Sequence, residues 1–250
     1  MTRRRWIADE VSGDQAALVG EHAAHLARVL RAQIGDEFDV ATGSEVRRGI
    51  ITTISNDRVE FELGDILGPR LKDPLAEPKI SLVLAIFKFD RMEWAIEKCT
   101  EIGVARIIPV IARRTDAHLA TAAVKRRERW QRLARQAAEQ SRQSGPPEIA
   151  APVKLQDLSG ADVLPVELVN RVVLAESLAQ AEDASLADVL RSQPRAGDVA
   201  LAVGPEGGWA EGELAWFREN GWVAASLGRT ILRAETAAIV ASALALDALR

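Results

Sequence analysis

Hydrophobic and polar positions follow two different patterns along the chain, and the change comes near residue 80. In the first part, apolar residues partly alternate with polar ones in three segments, residues 36–43, 45–55 and 57–64. Such alternation is typical of strands with one buried face. Another segment, residues 22–32, has helical spacing instead. Short strands divided by glycine and asparagine turn signals predict a small β-barrel over residues 1–70.

Residues 80–250 instead alternate continuous apolar runs with segments of helical spacing. The apolar runs, each of strand length, are residues 80–87, 104–112, 171–176, 198–203 and 222–227. The helical segments are residues 91–103, 125–143, 184–192, 211–220 and 235–250. This alternation is typical of a mostly parallel sheet that helices cover on both faces. We therefore predict an α/β domain over residues 80–250, joined to the barrel by a proline-containing linker at residues 71–79.

Composition and charge narrow the class of protein. The chain has 250 residues, 48% of them hydrophobic, and a formal net charge of −4. These values are typical of a globular protein and not of one that coats nucleic acid non-specifically. Cys99 is the single cysteine, so an intrachain disulfide is excluded and a cytoplasmic location is expected. We expect neither a membrane span nor a metal site, because no apolar stretch is long enough and the histidines lack metal-ligand spacing.

Two glycine-containing segments each follow an apolar run and precede a helical segment. GPEGG occupies residues 204–208, and SLGRTILR occupies residues 226–233. Neither matches a phosphate-binding P-loop or a GxGxxG motif. If the preceding strands are parallel, both segments lie side by side at the carboxyl edge of the sheet, where α/β proteins bind ligands, and the strand end at residues 172–177 can join them. A tight turn without a ligand and a capped helix are the structural alternatives.

Four motifs occur in this order along the chain: MEWAIEKCTEIGV (92–104), QAAEQSRQSGPPEI (136–149), GPEGG (204–208) and SLGRTILRAETA (226–237). Together they resemble the bacterial ribosomal RNA methyltransferases of the SPOUT class that modify N3 of one uridine in the 16S rRNA of the small ribosomal subunit. The resemblance covers essentially the whole chain. It implies a PUA-like, RNA-binding β-barrel at residues 1–70, a trefoil-knotted α/β domain at residues 80–250, and a homodimer.

The resemblance also implies that three loops of the knot bind S-adenosyl-L-methionine (SAM). Small residues in these loops let the backbone approach a ligand closely, and Leu227, Ile231 and Leu232 supply an apolar wall. The residues expected to bind SAM are Leu174, Ala175, Glu176, Val203, Gly204, Pro205, Glu206, Gly207, Gly208, Ser226, Leu227, Gly228, Ile231, Leu232, Arg233 and Thr236.

Methylation of uracil N3 requires that the N3 proton leave and that the negative charge developing on the uracil be stabilised. Arg233 is the first candidate for that electrostatic role, since it lies in a segment expected to touch SAM. Glu206 or Glu235 is expected to accept the proton or to hold Arg233. Structural alternatives stay open for both carboxylates, with Glu235 capping its helix and Glu206 bracing its loop.

Basic residues are clustered in several places, although the chain is acidic overall. The residues expected to contact RNA are Arg3, Arg5, Lys88, Arg91, Arg114, Arg126 and Arg142. Each cluster taken alone is more typical of a solvated face. The relatives usually carry an arginine aligned with Gln143 and a basic residue near Gly145, whereas here Arg142 stands one position earlier. On a helix, that offset rotates the side chain by about 100°.

Three other functions are compatible with the same residues. A SPOUT 2′-O-ribose methyltransferase would share the knot and the cofactor. A non-catalytic RNA-binding protein would not bind SAM, and an α/β enzyme for a small nucleotide would act without RNA. The last helical segment, residues 235–250, is apolar over most of its surface, which fits burial either within the domain or against a partner subunit.

Overall fold

The computed structural model describes residues 5–43, 45–67, 79–160, 163–164, 170–175, 184–192 and 197–249. The chain divides into two compact units. The first consists of residues 1–77 and 138–146, and the second consists of residues 78–137 and 147–250. In the described part of the chain, no helix combines the length and the apolar character needed to cross a membrane.

The first unit contains a six-stranded sheet among its described residues. Its strands are β1 (Arg5–Ile7), β2 (Glu10–Ser12), β3 (Gln15–Val19), β4 (Glu37–Ala41), β5 (Val46–Ile54) and β6 (Arg58–Ile66). The strand order is β1-β4-β5-β6-β3-β2, and the pairing is antiparallel except between β1 and β4. The three segments predicted from alternation correspond to β4, β5 and β6. The first three strands were not predicted: β1 and β2 have three residues each, every residue of β2 is exposed, and β3 has an apolar run without alternation.

The helix predicted at residues 22–32 is shorter than expected. It consists of α1 (Glu21–Ala24), which continues as one turn of π-helix at His25–Val29. Its buried residue Leu26 joins a core with Trp6, Leu18 and Phe61. The apolar side chains Val29 and Leu30, which share the helical spacing of Leu26, are exposed.

The second unit is built on a parallel sheet. Its seven described strands are β7 (Ile80–Ala85), β8 (Arg106–Ile111), β9 (Glu148–Ile149), β10 (Val153–Lys154), β11 (Asn170–Leu174), β12 (Val199–Val203) and β13 (Val223–Ala225). The order is β10-β8-β7-β12-β11-β13, with β9 also paired to β8, and every pair is parallel. All residues of β7 and β12 are buried, as expected of central strands. The predicted α/β class with a parallel sheet is therefore confirmed.

Five α-helices lie among the described residues of this part of the chain: α2 (Phe89–Ile102), α3 (Ala117–Gln140), α4 (Leu186–Ser192), α5 (Glu211–Glu219) and α6 (Ala234–Ala248). A short 3-10 helix spans Leu155–Asp157. α2 ends at Gly103, whose φ of 111° lies in the left-handed region that favours glycine. α3 begins eight residues before the predicted start at residue 125. The first turns of α3 are rich in alanine, which gives a weak periodic signal in the sequence. At the observed start of the helix, Asp116 Oδ1 accepts a hydrogen bond from the His118 N–H at 2.8 Å.

Alternate residues of the central strands face two separate cores. Leu82 and Leu84 of β7 belong to a core with α2, α3, α4 and α6. Val83 and Ala85 belong to a second core, which contains Trp209, Phe217 and Trp222. One face of α6 is buried within the unit, where the helix packs against α2, α4, β7 and β12. Helices thus cover both faces of the sheet and leave its carboxyl edge for the loops.

Candidate active site

Three strands of the parallel sheet end next to one another. β11 lies between β12 and β13, so the carboxyl ends of all three meet at one edge. The two glycine-containing segments were expected to be direct neighbours, and this expectation was wrong by one strand. The physical reason is the strand order, in which a strand from earlier in the chain separates two later ones. The strand end at residues 172–175 therefore lies between the two glycine-containing segments.

A cavity of about 610 Å³ is open at this edge. The residues expected to bind SAM that line it are Leu174, Ala175, Val203, Gly204, Pro205, Glu206, Gly207, Gly208, Ser226, Leu227, Ile231, Leu232 and Arg233. Gly228 and Thr236 do not line it, and Glu176 lies outside the described residues. The wall also includes side chains that were not expected there as cofactor contacts, among them Arg91, Arg114 and Trp209.

The GPEGG loop, residues 204–208, is held from behind by Trp209 and Arg114. A Cβ added to Gly204 would lie 3.2 Å from Trp209 Nε1, a tight contact that the indole ring would have to relieve by a small shift. The Arg114 guanidinium donates hydrogen bonds to the carbonyl oxygens of Gly207 and Trp209. Gly208 has a φ of 69°, a conformation that favours glycine. The loop is therefore shaped by its own backbone, by the Trp209 ring and by the Arg114 guanidinium.

Glu213 fastens the segment that follows this loop. Its Oε2 accepts the Ala210 N–H at 2.7 Å, at the beginning of α5, and its Oε1 accepts the Arg113 N–H at 2.7 Å. A carboxylate that binds backbone N–H groups at a helix N-terminus is favoured by the helix dipole as well. The segment after β12 and the segment after β8 are thereby joined.

Arg91, in the first turn of α2, lies between two carboxylates. Its Nη1 is 2.8 Å from Glu206 Oε1, and its Nε is 3.8 Å from Glu235 Oε1. Glu235 is 5% exposed, and its Oε2 has no hydrogen-bond partner among the described residues. Glu235 does not line the cavity, whereas Arg91 and Glu206 do. Both carboxylates thus face Arg91, and not Arg233 as the sequence had suggested.

Arg233 occupies the N-cap position of α6 and is exposed at the cavity wall. Its side chain makes no capping hydrogen bond. Within the described part of the chain it forms no ion pair. A cation in the wall that is not neutralised by a protein carboxylate can interact with an anionic group of a ligand.

The other residues expected to contact RNA have different environments. Lys88 is exposed just before α2. Arg126 donates to Glu93 at 3.1 Å and lies 4.8 Å from the centre of the Phe89 ring. Arg129 shares the same carboxylate, and its hydrogen bond to Glu93 raises the pKa of the guanidinium. Part of the basic surface of α3 is therefore engaged within the protein.

Arg5 and Arg142 meet in the first unit, where the Arg5 guanidinium donates to the Arg142 carbonyl oxygen. Burial lowers the pKa of Arg5. Arg142 lies beyond the end of α3 and has a φ of 61°. The expected rotation by one helical position therefore does not apply to it, because the residue is not helical. Arg3 lies outside the described residues.

The unexpected wall residues Arg91 and Arg114 follow β7 and β8 by a few positions. The rule that ligands bind beyond the carboxyl ends of strands could have indicated them if it had been applied to these two strands as well. The order of the strands, however, could not be read from the sequence. It is this order that places the end of β7 next to the end of β12.

Comparisons with known proteins agree with the resemblance seen in the four sequence motifs. Residues 75–246 match the RNA methyltransferase domain family. The chain is 30% identical over 230 residues to the ribosomal RNA small subunit methyltransferase E of Bacillus subtilis, covering 90% of this chain and 87% of that protein.

Two solved structures are also similar over nearly the full length of both chains. One is a ribosomal RNA small subunit methyltransferase E from Neisseria gonorrhoeae bound to SAM, with a TM-score of 0.80, 28% identity and coverage of 97% and 96%. The other is a methyltransferase from Legionella pneumophila in complex with SAM, with a TM-score of 0.81, 28% identity and coverage of 100% and 97%. The chain belongs to the RNA methyltransferase family of the ribosomal RNA small subunit methyltransferase E proteins.

Proposed function

We propose that this protein transfers the methyl group of SAM to N3 of one uridine in the 16S rRNA of the small ribosomal subunit. The observation that carries the proposal is the cavity at the ends of β11, β12 and β13. Thirteen of the residues expected to bind SAM line it, in a chain that belongs to a family of RNA methyltransferases. The specificity for uracil N3 comes from the resemblance of the ILRAET-containing motif.

The residues of the cavity fit SAM in size and chemistry. A volume of about 610 Å³ suits a cofactor of this kind. Leu174, Leu227 and Ile231 provide apolar surface for an adenine ring, and the Glu206 carboxylate in the wall is paired with Arg91. Bound SAM would supply an electrophilic methyl group on a positively charged sulfur. The role of this chain is to hold the uracil in line with that group.

The proposed catalytic contribution of Arg233 is electrostatic. Its guanidinium lies in the cavity wall and would stabilise the negative charge that develops on the uracil ring. Of the two candidate carboxylates, Glu206 lines the cavity and Glu235 does not. The variant Arg233→Ala is expected to lose turnover by about 100-fold or more while it keeps most of its affinity for SAM.

The proposal extends to the architecture and the partners. Residues 1–70 form the PUA-like, RNA-binding barrel, the second unit contains the trefoil knot, and α6 contributes to a homodimer that acts in the cytoplasm. Exposed basic residues such as Lys88 would bind rRNA phosphates, so affinity for rRNA is expected to fall steeply as salt rises. Support for this part is the resemblance, together with the exposure of Lys88.

The decisive experiment is methyl transfer from labelled SAM to small ribosomal subunits that lack the modification. Nuclease digestion and mass spectrometry then locate the methyl group. Methylation of uracil N3 supports the proposal, whereas a methyl on a ribose oxygen identifies a 2′-O-ribose methyltransferase. A protein that binds rRNA but not SAM in calorimetry would be a non-catalytic RNA-binding protein. Activity on a free nucleotide without RNA would also contradict the proposal.

A further inference from the structure

Three separate segments of the chain meet at one guanidinium. Arg91 belongs to α2, Glu206 belongs to the GPEGG loop, and Glu235 belongs to the first turn of α6. The Arg91 Nη1–Glu206 Oε1 distance is 2.8 Å, and the Arg91 Nε–Glu235 Oε1 distance is 3.8 Å. Because different nitrogens of the guanidinium face the two carboxylates, one planar group spans both.

The two carboxylates differ in their surroundings. Glu206 is partly exposed in the cavity wall, whereas the Glu235 side chain is buried behind Arg91. A buried carboxylate without a compensating charge lowers the stability of the fold. Among the described residues, Arg91 is the cation within 4 Å of the Glu235 carboxylate. The position of Glu235 in the first turn of α6 adds the favourable end of the helix dipole. Glu235 therefore contacts the back of Arg91 and not a ligand in the cavity.

We infer that Arg91 is a positioning residue, which Glu235 orients from behind and which fixes Glu206 and the GPEGG loop in the shape of the cofactor site. The inference rests on the proposed function only for the identity of the ligand. Arg91 was expected to contact RNA, and the inference instead assigns it the role of holding the loop. It assigns to Glu235 an action through Arg91 in place of the expected transfer of a proton.

The geometry separates this role from a simple requirement for positive charge. A lysine at position 91 has one ammonium group, and it cannot present two separated nitrogens to two carboxylates as the guanidinium does. Arg91→Lys is therefore expected to resemble Arg91→Gln. Lys88 offers the matched control, since Lys88→Gln removes one positive charge just before the same helix, at an exposed position outside the cavity wall.

The first test measures hydrogen exchange of the backbone amides of residues 206–209 in the protein without SAM. Arg91→Gln, Arg91→Lys and Glu206→Gln are each expected to speed this exchange by about threefold or more, because the loop loses a fixed contact. Lys88→Gln is expected to leave it unchanged. Unchanged exchange in all three variants would overturn the inference. Glu206 is partly exposed, so its variant is expected to fold even if a change at Arg91 disturbs α2.

The second test compares cofactor affinity with RNA affinity. Arg91→Gln is expected to weaken the Kd for SAM about three- to tenfold, while the KM for small ribosomal subunits changes less than about twofold. Lys88→Gln is expected to give the opposite pattern. A raised KM for subunits with unchanged SAM affinity in Arg91→Gln would make Arg91 an RNA contact and reject the inference.

A double-mutant cycle tests the role of Glu235. If Glu235 acts through Arg91, Glu235→Gln weakens SAM binding in the wild-type background and has little further effect in Arg91→Gln. The pH dependence of turnover in Glu235→Gln should keep its acid limb, whereas loss of that limb would make Glu235 the proton acceptor and contradict the inference. If the wild-type protein binds no SAM, the proposed function fails, and the hydrogen-exchange test still decides the role of Arg91.

Discussion

The two glycine-containing loops of the cavity are built in different ways. The GPEGG loop is fixed by Trp209 behind Gly204, by Arg114 on its carbonyl groups and by Arg91 on Glu206. In the loop at residues 226–233, the described side-chain hydrogen bonds are short-range ones between Ser226 and Gly228. Side chains from other segments thus hold one wall of the cavity, the supported wall, whereas backbone hydrogen bonds of Ser226 with Ala184 and Leu186 anchor the start of the other, the exposed wall.

The exposed fractions of two large apolar side chains express the same difference. Trp209, next to the GPEGG loop, is 6% exposed, whereas Ile231, in the loop at residues 226–233, is 84% exposed. Burial of an apolar side chain stabilises the fold, and an exposed one can stabilise only a complex. We therefore expect substitutions in the supported wall to lower stability and substitutions in the exposed wall to lower ligand affinity.

The largest effect is expected for Trp209→Ala. The indole packs edge-on against Phe217, with ring centres 4.8 Å apart, inside the second core. Removal of a buried tryptophan leaves a large void, so the free energy of unfolding should fall by about 3–5 kcal/mol. Urea unfolding followed by circular dichroism measures this loss. A loss below about 1 kcal/mol would mean that the ring does not support the wall.

The single cysteine reports whether that loss is global. Burial raises the pKa of the Cys99 thiol to about 12, so the thiolate is suppressed in the folded state, whereas a cysteine in an unfolded chain has a pKa of about 8.5. Reaction with a thiol reagent near pH 8 therefore requires opening of the core. Trp209→Ala should speed the labelling of Cys99, whereas a change confined to the exposed wall should not.

The same pKa shift also predicts a trend of stability with pH. Between about pH 8.5 and 12 the folded state keeps the thiol proton that the unfolded state loses, so the contribution of Cys99 to the free energy of unfolding falls as pH rises. Below that window the contribution is fully present. Urea unfolding at successive pH values measures this trend, and Cys99→Ala should remove it.

A smaller effect is expected for Gly204→Ala. The added Cβ would lie 3.2–3.4 Å from three atoms of the Trp209 ring, so the ring must shift inside a packed core. The expected loss is about 1–3 kcal/mol in the free energy of unfolding. Gly212→Ala in α5 is the matched control, because no atom lies within 4 Å of its added Cβ. That variant should be more stable by about 0.4–1 kcal/mol, and equal effects at the two glycines would contradict the tight contact at Gly204.

The difference between the two loops explains what could be predicted from the sequence. Apolar runs followed by glycine-containing segments revealed the strand ends, because these signals are local, whereas the individual residues of the cavity wall were expected from the resemblance to the methyltransferase family. The contact of Arg91 with Glu206 joins residues 115 positions apart, and it depends on β7 lying next to β12. No local pattern carries that adjacency. Strands β9 and β10 were missed for a simpler reason, since two residues each are too few for a pattern.

Glu213→Ala is expected to lower the free energy of unfolding by about 1–2 kcal/mol. This side chain accepts the backbone N–H groups of Ala210 and Arg113, and its removal leaves both donors without that partner. Glu211→Ala in the same first turn of α5 is the control, because Glu211 is exposed there. In thermal unfolding, Glu211→Ala should have a higher melting temperature than Glu213→Ala. Equal melting temperatures would show that the link between the segments after β8 and β12 adds no stability.

The smallest effect on stability is expected for Ile231→Ala in the exposed wall. Because the side chain is 84% exposed, its truncation should change the free energy of unfolding by no more than about 0.5 kcal/mol and leave Cys99 labelling unchanged. If the side chain covers the adenine of SAM, the Kd for SAM should rise by about three- to tenfold, since apolar area buried in the complex is lost. Val124→Ala, at another exposed apolar residue outside the cavity wall, should leave this Kd unchanged. A Kd for Ile231→Ala equal to that of the wild type would show that the Ile231 side chain does not contact the cofactor, and would leave the GPEGG loop as the principal wall of the cofactor site.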